Sequence, residues 1–286
     1  MSGRVALVTD STAMLPADLV AQHDIIVVPL QVMIGKRCYR EGVDPEATPG
    51  AIAAALRKGT PVSTSRPSPQ ALLDAYRDAH VRGAEAVVSL HLSGELSGTF
   101  ESAQLAARDA PLPVRPVDTG QLGMAVGYAV RTVAERLAAG AAAEEAAAAG
   151  TDRARRTTSL FYVDTLEYLR RGGRIGAAAR LVGSALAVKP LLTVAEGRIV
   201  PLEKVRTAAR ALSRLADLAV EAAGTDRVEV GVAHLASSER AGRLADELSG
   251  RVADNLAGTE VVVGEVGAVI GAHAGPGLVG VVVAPR

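Results

Sequence analysis

Two hydrophobic periods alternate in the first half of the chain. Short runs of apolar and β-branched residues are typical of buried strands, and they alternate with longer segments of helical periodicity. The predicted strands are residues 5–9, 25–30, 86–92 and 114–117. Two predicted helices begin near Pro16 and Ser68, and three more cover residues 51–58, 99–108 and 122–139. Strands that alternate with helices predict right-handed crossovers and a parallel, Rossmann-like sheet.

The second half of the chain follows a different pattern. Apolar runs at residues 191–194 and 199–202 flank Ala195-Glu196-Gly197-Arg198, which predicts a β-hairpin. Further predicted elements are helices 205–223 and 239–248 and strands 228–234, 260–266 and 279–283. This order predicts an α+β domain with a mixed or antiparallel sheet. The Ala- and Glu-rich segment 140–150 favours a helix. We place the boundary after it, which gives an N-terminal α/β domain, 1–155, and a C-terminal α+β domain, 156–286.

Composition narrows the function classes. Lys and Arg together number 31, as do Asp and Glu, so the chain lacks the basic surplus typical of nucleic-acid binding. No run of about 18 apolar residues predicts a membrane span, and the first residues lack the apolar core of a signal peptide. Cys38 is the single cysteine, which excludes a disulfide framework. We therefore expect a cytoplasmic protein. Aromatic residues make up 2%, so a large pocket would have aliphatic walls that suit a flexible aliphatic ligand.

Hydroxyl side chains follow three of the predicted strands. The clusters are Asp10-Ser11-Thr12, the segment 63–68, and the segment 93–99. In open α/β sheets ligands bind outside the carboxyl ends of strands, so these clusters can converge. Ser97 stands out because Gly94 and Gly98 flank it and a helix N-terminus follows, a combination that suits an anion. Each cluster can also consist of ordinary turn formers and N-caps.

His273 lies in a Gly-rich segment, 267–277, that predicts a constrained loop before the last strand. The five histidines show no metal-ligand spacing, and neither a phosphate loop nor G-x-G-x-x-G is present. We therefore expect no cofactor. Two alternatives stay open. A serine-dependent acyl hydrolase would use Ser97 and His273, although Ser97 comes one place too late for a nucleophile elbow. A phosphate- or nucleotide-binding module would use the glycine turns at helix N-termini.

Five motifs in a fixed order cover nearly the whole chain. They are Val8-Thr9-Asp10-Ser11-Thr12, Thr64-Ser65-x-Pro67-Ser68, Leu96-Ser97-Gly98-Thr99-Phe100, Leu166-Glu167-Tyr168-Leu169-Arg170-Arg171-Gly172-Gly173-Arg174-Ile175 and Val269-Ile270-Gly271-x-His273-x-Gly275-x-Gly277. This order resembles the DegV family of bacterial fatty acid-binding proteins. Two details depart from the family pattern, because Gly94-Glu95 occupies a segment that is often serine-rich and Phe100 stands where Tyr is common.

The resemblance implies a non-catalytic protein that buries a long-chain fatty acid of C14–C18. It implies that Thr64, Ser97 and His273 bind the carboxylate, with Ser65, Ser93 and Gly98 nearby. It also implies a partner, a fatty acid kinase that brings ATP and Mg²⁺ and forms the acyl phosphate. Arg206 is the candidate contact for that kinase, because a cation beside a helix N-terminus opposes the helix dipole and gains nothing there in stability. The family has an Arg-Thr pair at the corresponding place.

Overall fold

The computed structural model describes residues 3–181 and 189–286. The strands are β1 Val5–Asp10, β2 Ile26–Val28, β3 Gln31–Ile34, β4 Arg37–Arg40, β5 Val62–Ser65, β6 Ala86–His91, β7 Val114–Asp118, β8 Thr158–Tyr162, β9 Lys189–Ala195, β10 Arg198–Val205, β11 Val228–His234, β12 Val262–Glu265 and β13 Val279–Pro285. The helices are α1 Ala17–Gln22, α2 Pro49–Arg57, α3 Pro69–Val81, α4 Thr99–Arg108, α5 Met124–Ala138, α6 Ala143–Arg156, α7 Glu167–Arg171, α8 Ala208–Ala223, α9 Ser238–Arg251, α10 Ala253–Leu256 and α11 Ala268–Ala274. Short 3₁₀ helices cover Ser11–Ala13 and Gly176–Leu181.

The first compact unit consists of Met1–Gln31 and Ser65–Arg155. Its sheet has the order β2-β1-β6-β7, and every neighbouring pair is parallel. Helices α3 and α4 pack on one set of strand side chains, which includes Val8 and Val87, and the phenol ring of Tyr76 is fully buried among them. The carboxyl ends of β1 and β6 lie side by side, because Thr9 pairs with Leu90 in the parallel register. The polar residues that follow both strands therefore start from one edge of the sheet.

The second compact unit consists of Val32–Thr64 and Arg156–Arg286. Its larger sheet has the order β10-β9-β8-β13-β11-β12 and is mixed, since β11 and β12 are parallel and the other neighbours are antiparallel. Helices α8 and α9 pack on this sheet through a core that includes Leu215, Leu244 and Val281. A separate three-stranded sheet has the order β4-β3-β5.

The predicted fold class is correct. The parallel sheet and the mixed sheet are both present, and three local sequence signals have the predicted geometry. The hydroxyl of Ser68 caps α3 by accepting from the Ala71 N–H at 3.2 Å. Glu196 and Gly197 both have positive φ angles, 51° and 74°, as a two-residue hairpin turn between β9 and β10 requires. Residues 143–150 of the segment 140–150 are helical and form the start of α6.

The predicted domains differ from the compact units in one segment. The prediction assigned residues 32–64 to the N-terminal domain, whereas they cluster with the second unit. The prediction also missed β3, β4, β5 and β8. Strands β4 and β5 carry polar residues at alternating or exposed positions and present no continuous apolar run, and β3 has an apolar run of only three residues. Among the residues described, no helix is both long and apolar enough to cross a membrane.

Candidate ligand-binding site

A hydrogen bond joins Thr64, at the end of β5, to His273 on α11. The distance between Thr64 Oγ1 and His273 Nε2 is 2.7 Å, and both residues belong to the second unit. The prediction of a loop around His273 is wrong, because the residue lies in the last turn of a short helix and Gly275 begins the loop that follows. The glycines misled the prediction. Two of them, Gly267 and Gly271, belong to the N-cap and the interior of the helix.

Gly172 and Gly275 each lie where another side chain comes close to the backbone. A Cβ on Gly172 would overlap Nδ1 of His273, so the imidazole lies directly against the backbone after α7. A Cβ on Gly275 would overlap the ring of Tyr168, and Gly275 also has a φ of 77° that disfavours other residues. The motif that begins at Leu166 therefore supplies one wall of the His273 environment. In the sequence, this motif indicated only the family resemblance, and this contact was not predicted.

Burial keeps the imidazole of His273 neutral. Desolvation, with a smaller contribution from the positive charge of Arg174, lowers the pKa of His273 to about 4. Nδ1 has no hydrogen-bond partner among the residues described, whereas Nε2 contacts Thr64. With its hydrogen on Nε2, the ring donates to Thr64 Oγ1, and the threonine O–H is then free to donate to a ligand. The pair therefore offers donors without carrying a charge of its own.

The second set of predicted site residues lies in the first unit, in the turn between β6 and α4. Ser93 O accepts from Ser97 N at 3.0 Å, and Ser93 Oγ accepts from Glu95 N at 3.2 Å, so this turn closes on itself. The hydroxyls of Ser97 and Thr99 are 2.8 Å apart. Gly98 is the N-cap of α4 and provides no side chain to bond the first-turn N–H groups. This arrangement agrees with the anion-binding character that the sequence predicts for Ser97.

A buried polar chain anchors the start of that turn. Asp10 Oδ2 accepts from Leu92 N at 3.0 Å and lies 3.1 Å from His91 Nδ1. His91 Nε2 lies 2.8 Å from Ser89 Oγ, which in turn contacts the Tyr76 hydroxyl at 3.0 Å. Burial raises the pKa of Tyr76 to about 12. All of these side chains are fully buried, so the chain fixes the end of β6 immediately before Ser93.

The hydrogen-bonded row of Ser89, His91 and Asp10 has the order of groups found in a Ser-His-Asp hydrolase, yet it contains no usable nucleophile. Ser89, His91 and Asp10 each have 0% exposure, and a nucleophile must reach its substrate. In the predicted hydrolase pair, the Ser97 hydroxyl contacts Thr99 and the His273 ring contacts Thr64. Within the described part of the chain, no group of three His, Cys, Asp or Glu residues is placed to hold a metal ion.

The remaining predicted residues lie on the surface. Ser65 is exposed and donates to Gln31 Oε1 at 2.9 Å in the first unit. Arg206 is exposed and directly precedes Thr207, whose hydroxyl caps α8 by accepting from Arg210 N at 3.2 Å. Arg206 therefore lies beside the N-cap rather than inside the helix. The structure thus brings Thr64 to His273, and it keeps Ser93, Ser97 and Gly98 together in one turn.

Comparisons with known proteins agree with this fold. The DegV family model, described as an uncharacterised protein of the DegV family, matches residues 4–286. A DegV domain-containing protein of Streptomyces coelicolor is 54% identical over 286 residues and covers 100% of both chains. Protein DegV of Bacillus subtilis is 34% identical over 282 residues, covering 97% of this chain and 98% of its own. The chain belongs to the DegV family.

Two solved structures have the same fold. A DegV family protein from Thermus thermophilus, described by its fatty acid binding, matches with a TM-score of 0.90 and 36% identity over 99% of this chain and 100% of that chain. DegV from Bacillus subtilis, described as a fatty acid binding protein, matches with a TM-score of 0.90 and 32% identity over 100% of both chains.

The neutral His273 makes a prediction about acid stability. The unfolded chain binds this proton near pH 6.5 and the folded protein only near pH 4, so acid favours unfolding. The contribution of His273 is complete above pH 6.5 and is lost between pH 6.5 and 4, by up to about 3 kcal/mol. Urea unfolding of ligand-free protein at several pH values should therefore show a weaker pH dependence in His273→Gln than in wild type. The exposed His80→Gln is the control, and parallel curves for wild type and His273→Gln would contradict the assignment.

Proposed function

We propose that this protein binds one long-chain fatty acid of C14–C18, with the acyl chain buried and the carboxylate bound by Thr64, Ser97 and His273. The observation that carries the proposal is the hydrogen-bonded pair of Thr64 and His273, a neutral donor pair held away from water. Both solved relatives above are described by fatty acid binding, which supports the same ligand class. In this proposal the protein works in the cytoplasm.

The physical terms of such binding are favourable. About 15 methylene groups transferred from water at about 0.8 kcal/mol each give about 12 kcal/mol before association costs. A buried carboxylate opposes this by several kcal/mol unless donors compensate it. Hydrogen bonds to a charged group contribute about 1.5–3 kcal/mol each, so the hydroxyls of Thr64 and Ser97, together with backbone N–H groups, can offset this cost. The tail thus supplies affinity, and the donors select the head group.

Ser97 has the position that this role requires. Its hydroxyl and that of Thr99 precede the open N-terminus of α4, where backbone N–H groups and the helix dipole favour an anion. In the proposal Ser97 and the Thr64–His273 pair bind the ligand carboxylate. Ser65, Ser93 and Gly98 complete its surroundings. Gly98 has no Cβ, and the guanidinium of Arg66 lies in the space that a Cβ would take and donates to Gly98 O at 3.1 Å.

The second part of the proposal concerns a partner. A bound fatty acid whose carboxylate is held by neutral donors keeps its oxygens available as a nucleophile, and a fatty acid kinase would supply ATP and Mg²⁺ for acyl phosphate formation. Arg206 is exposed and makes no hydrogen bond or ion pair with any residue that the structure describes. Its neighbour Thr207 already caps α8, so Arg206 adds nothing to that cap. We assign Arg206 to the contact with the kinase.

Removing either hydroxyl of the proposed anchor should weaken binding of oleate. Thr64→Val and Ser97→Ala each leave a carboxylate oxygen without a donor, and we expect a loss of about 1–3 kcal/mol in binding free energy by calorimetry. Oleyl alcohol should bind all three proteins alike, since it lacks the charge. Ser63→Ala is the matched control, because Ser63 precedes Thr64 on the same strand and points to the opposite face. Normal oleate binding by both variants would place the anchor elsewhere.

One variant can distinguish the partner contact from lipid binding. Arg206→Ala should retain oleate affinity and folding stability and should lose acyl phosphate formation with the cognate kinase and ATP. Arg210→Ala, an exposed arginine one turn further along, is the control. Loss of oleate binding in Arg206→Ala would move the residue into the pocket, and full kinase turnover would place the contact on another face.

A further inference from the structure

Helix α11, which carries His273, has no N-terminal cap of its own. Its N-cap residue is Gly267, which has no side chain, and its first turn contains no acidic residue. The helix is 7 residues long. Helices this short are not stable by themselves and depend on contacts from outside. The position of the imidazole therefore depends on whatever fixes the two ends of α11.

Glu41 supplies the missing cap from a distant part of the chain. Its Oε1 accepts from the N–H of Val269, the second residue of the helix, at 2.8 Å, across 228 residues of sequence. The carboxylate is only 5% exposed, although it follows the exposed strand β4. A carboxylate in this place satisfies an N–H of the first turn and is attracted by the positive end of the helix dipole.

Position 267 is matched to this contact. A Cβ on Gly267 would overlap Oε1 of Glu41. A residue with a side chain at this place, such as serine, would displace the Glu41 carboxylate from its contact. Gly267 and Glu41 thus act together: the helix has no cap of its own at position 267, and Glu41 caps it from a distant part of the chain.

The opposite end of α11 is fixed from the same segment. Thr64 bonds His273 in the last turn, and Ile52 on α2 faces Gly271 in the middle, where a Cβ would lie 3.6 Å from its Cγ2. Residues 32–64 therefore contact α11 at its start, its middle and its end, all within the second unit.

We propose that Glu41 is a positioning residue of the fatty acid site, which sets the orientation of His273 by capping α11 from outside the helix. This inference rests on the proposed function for its ligand but not for its geometry. Without the cap the first turn frays, and the helix loses the rigid link that keeps Nε2 of His273 at Thr64. The consequence is a specific loss of head-group recognition.

The test compares Glu41→Ala, Glu41→Gln and Gly267→Ala with wild type. The control is Glu46→Ala, which removes an exposed carboxylate from the same segment. Calorimetry with oleate and with oleyl alcohol gives the ratio of the two affinities, and NMR titration of ligand-free protein gives the pKa of His273. If Glu41 only stabilised the fold, the affinities for oleate and for oleyl alcohol would fall in parallel. We expect Glu41→Ala to lower oleate affinity about 10-fold, which corresponds to about 1.4 kcal/mol, with oleyl alcohol unchanged.

The NMR readout has an equally definite expectation. The pKa of His273, about 4 in wild type, should rise toward its ordinary value in Glu41→Ala as the ring becomes hydrated. Gly267→Ala should reproduce both changes by displacing Glu41. Glu41→Gln should change the pKa of His273 and the affinity ratio less than Glu41→Ala does, because its amide oxygen still accepts. An unchanged pKa together with an unchanged affinity ratio in Glu41→Ala or in Gly267→Ala overturns the inference. If wild type binds no oleate, the proposed function fails, and the titration still decides whether Glu41 positions His273.

Discussion

The hydrogen bond between Thr64 and His273 ties residues that are 209 positions apart, and the proposed head-group site depends on it. A neutral imidazole inside a protein requires that its surroundings exclude water and that its ring have a fixed partner. The backbone of Gly172 lies against the ring, and the end of β5 provides the partner. Both partners of the hydrogen bond belong to the second unit, in which residues 32–64 cluster with the C-terminal part of the chain.

Much of the fold could be predicted because the periodic signals are local. The β-branched run of β6 and the cap of Ser68 depend on neighbouring residues alone. Strands β4 and β5 could not be found in this way, because they are partly exposed and carry no apolar run, and the apolar run of β3 is only three residues long. Helix α11 was not predicted for another reason. Its glycines are typical of loops, and only the tertiary contacts of Gly267 and Gly271 explain why they stand in a helix.

The candidate site shows the same division between local and tertiary information. Hydroxyl residues after strands, and glycines around Ser97, are visible in the sequence and indicate an anion site. The roles of Gly172 and Glu41 are not visible, since each acts on a residue about a hundred or more positions away. The buried chain from Asp10 to Tyr76 is likewise a product of strand register, which places β1 beside β6. It holds a turn in place and offers no accessible nucleophile.

The proposed function follows from donors that remain uncharged. Hydroxyls and a neutral imidazole compensate a carboxylate without the desolvation cost of a second buried ion. In the proposal, the chemistry of phosphoryl transfer is left to a partner protein. Binding and catalysis would then reside in different proteins.

The most direct measurement is mass spectrometry of an organic extract from the purified protein. A fatty acid that is buried along its whole length should dissociate slowly and survive purification. The account predicts a C14–C18 fatty acid in an amount close to one per chain. If the extract contains no fatty acid, and oleate added to the protein does not raise its melting temperature while ATP does, the binding site has been assigned to the wrong class of ligand.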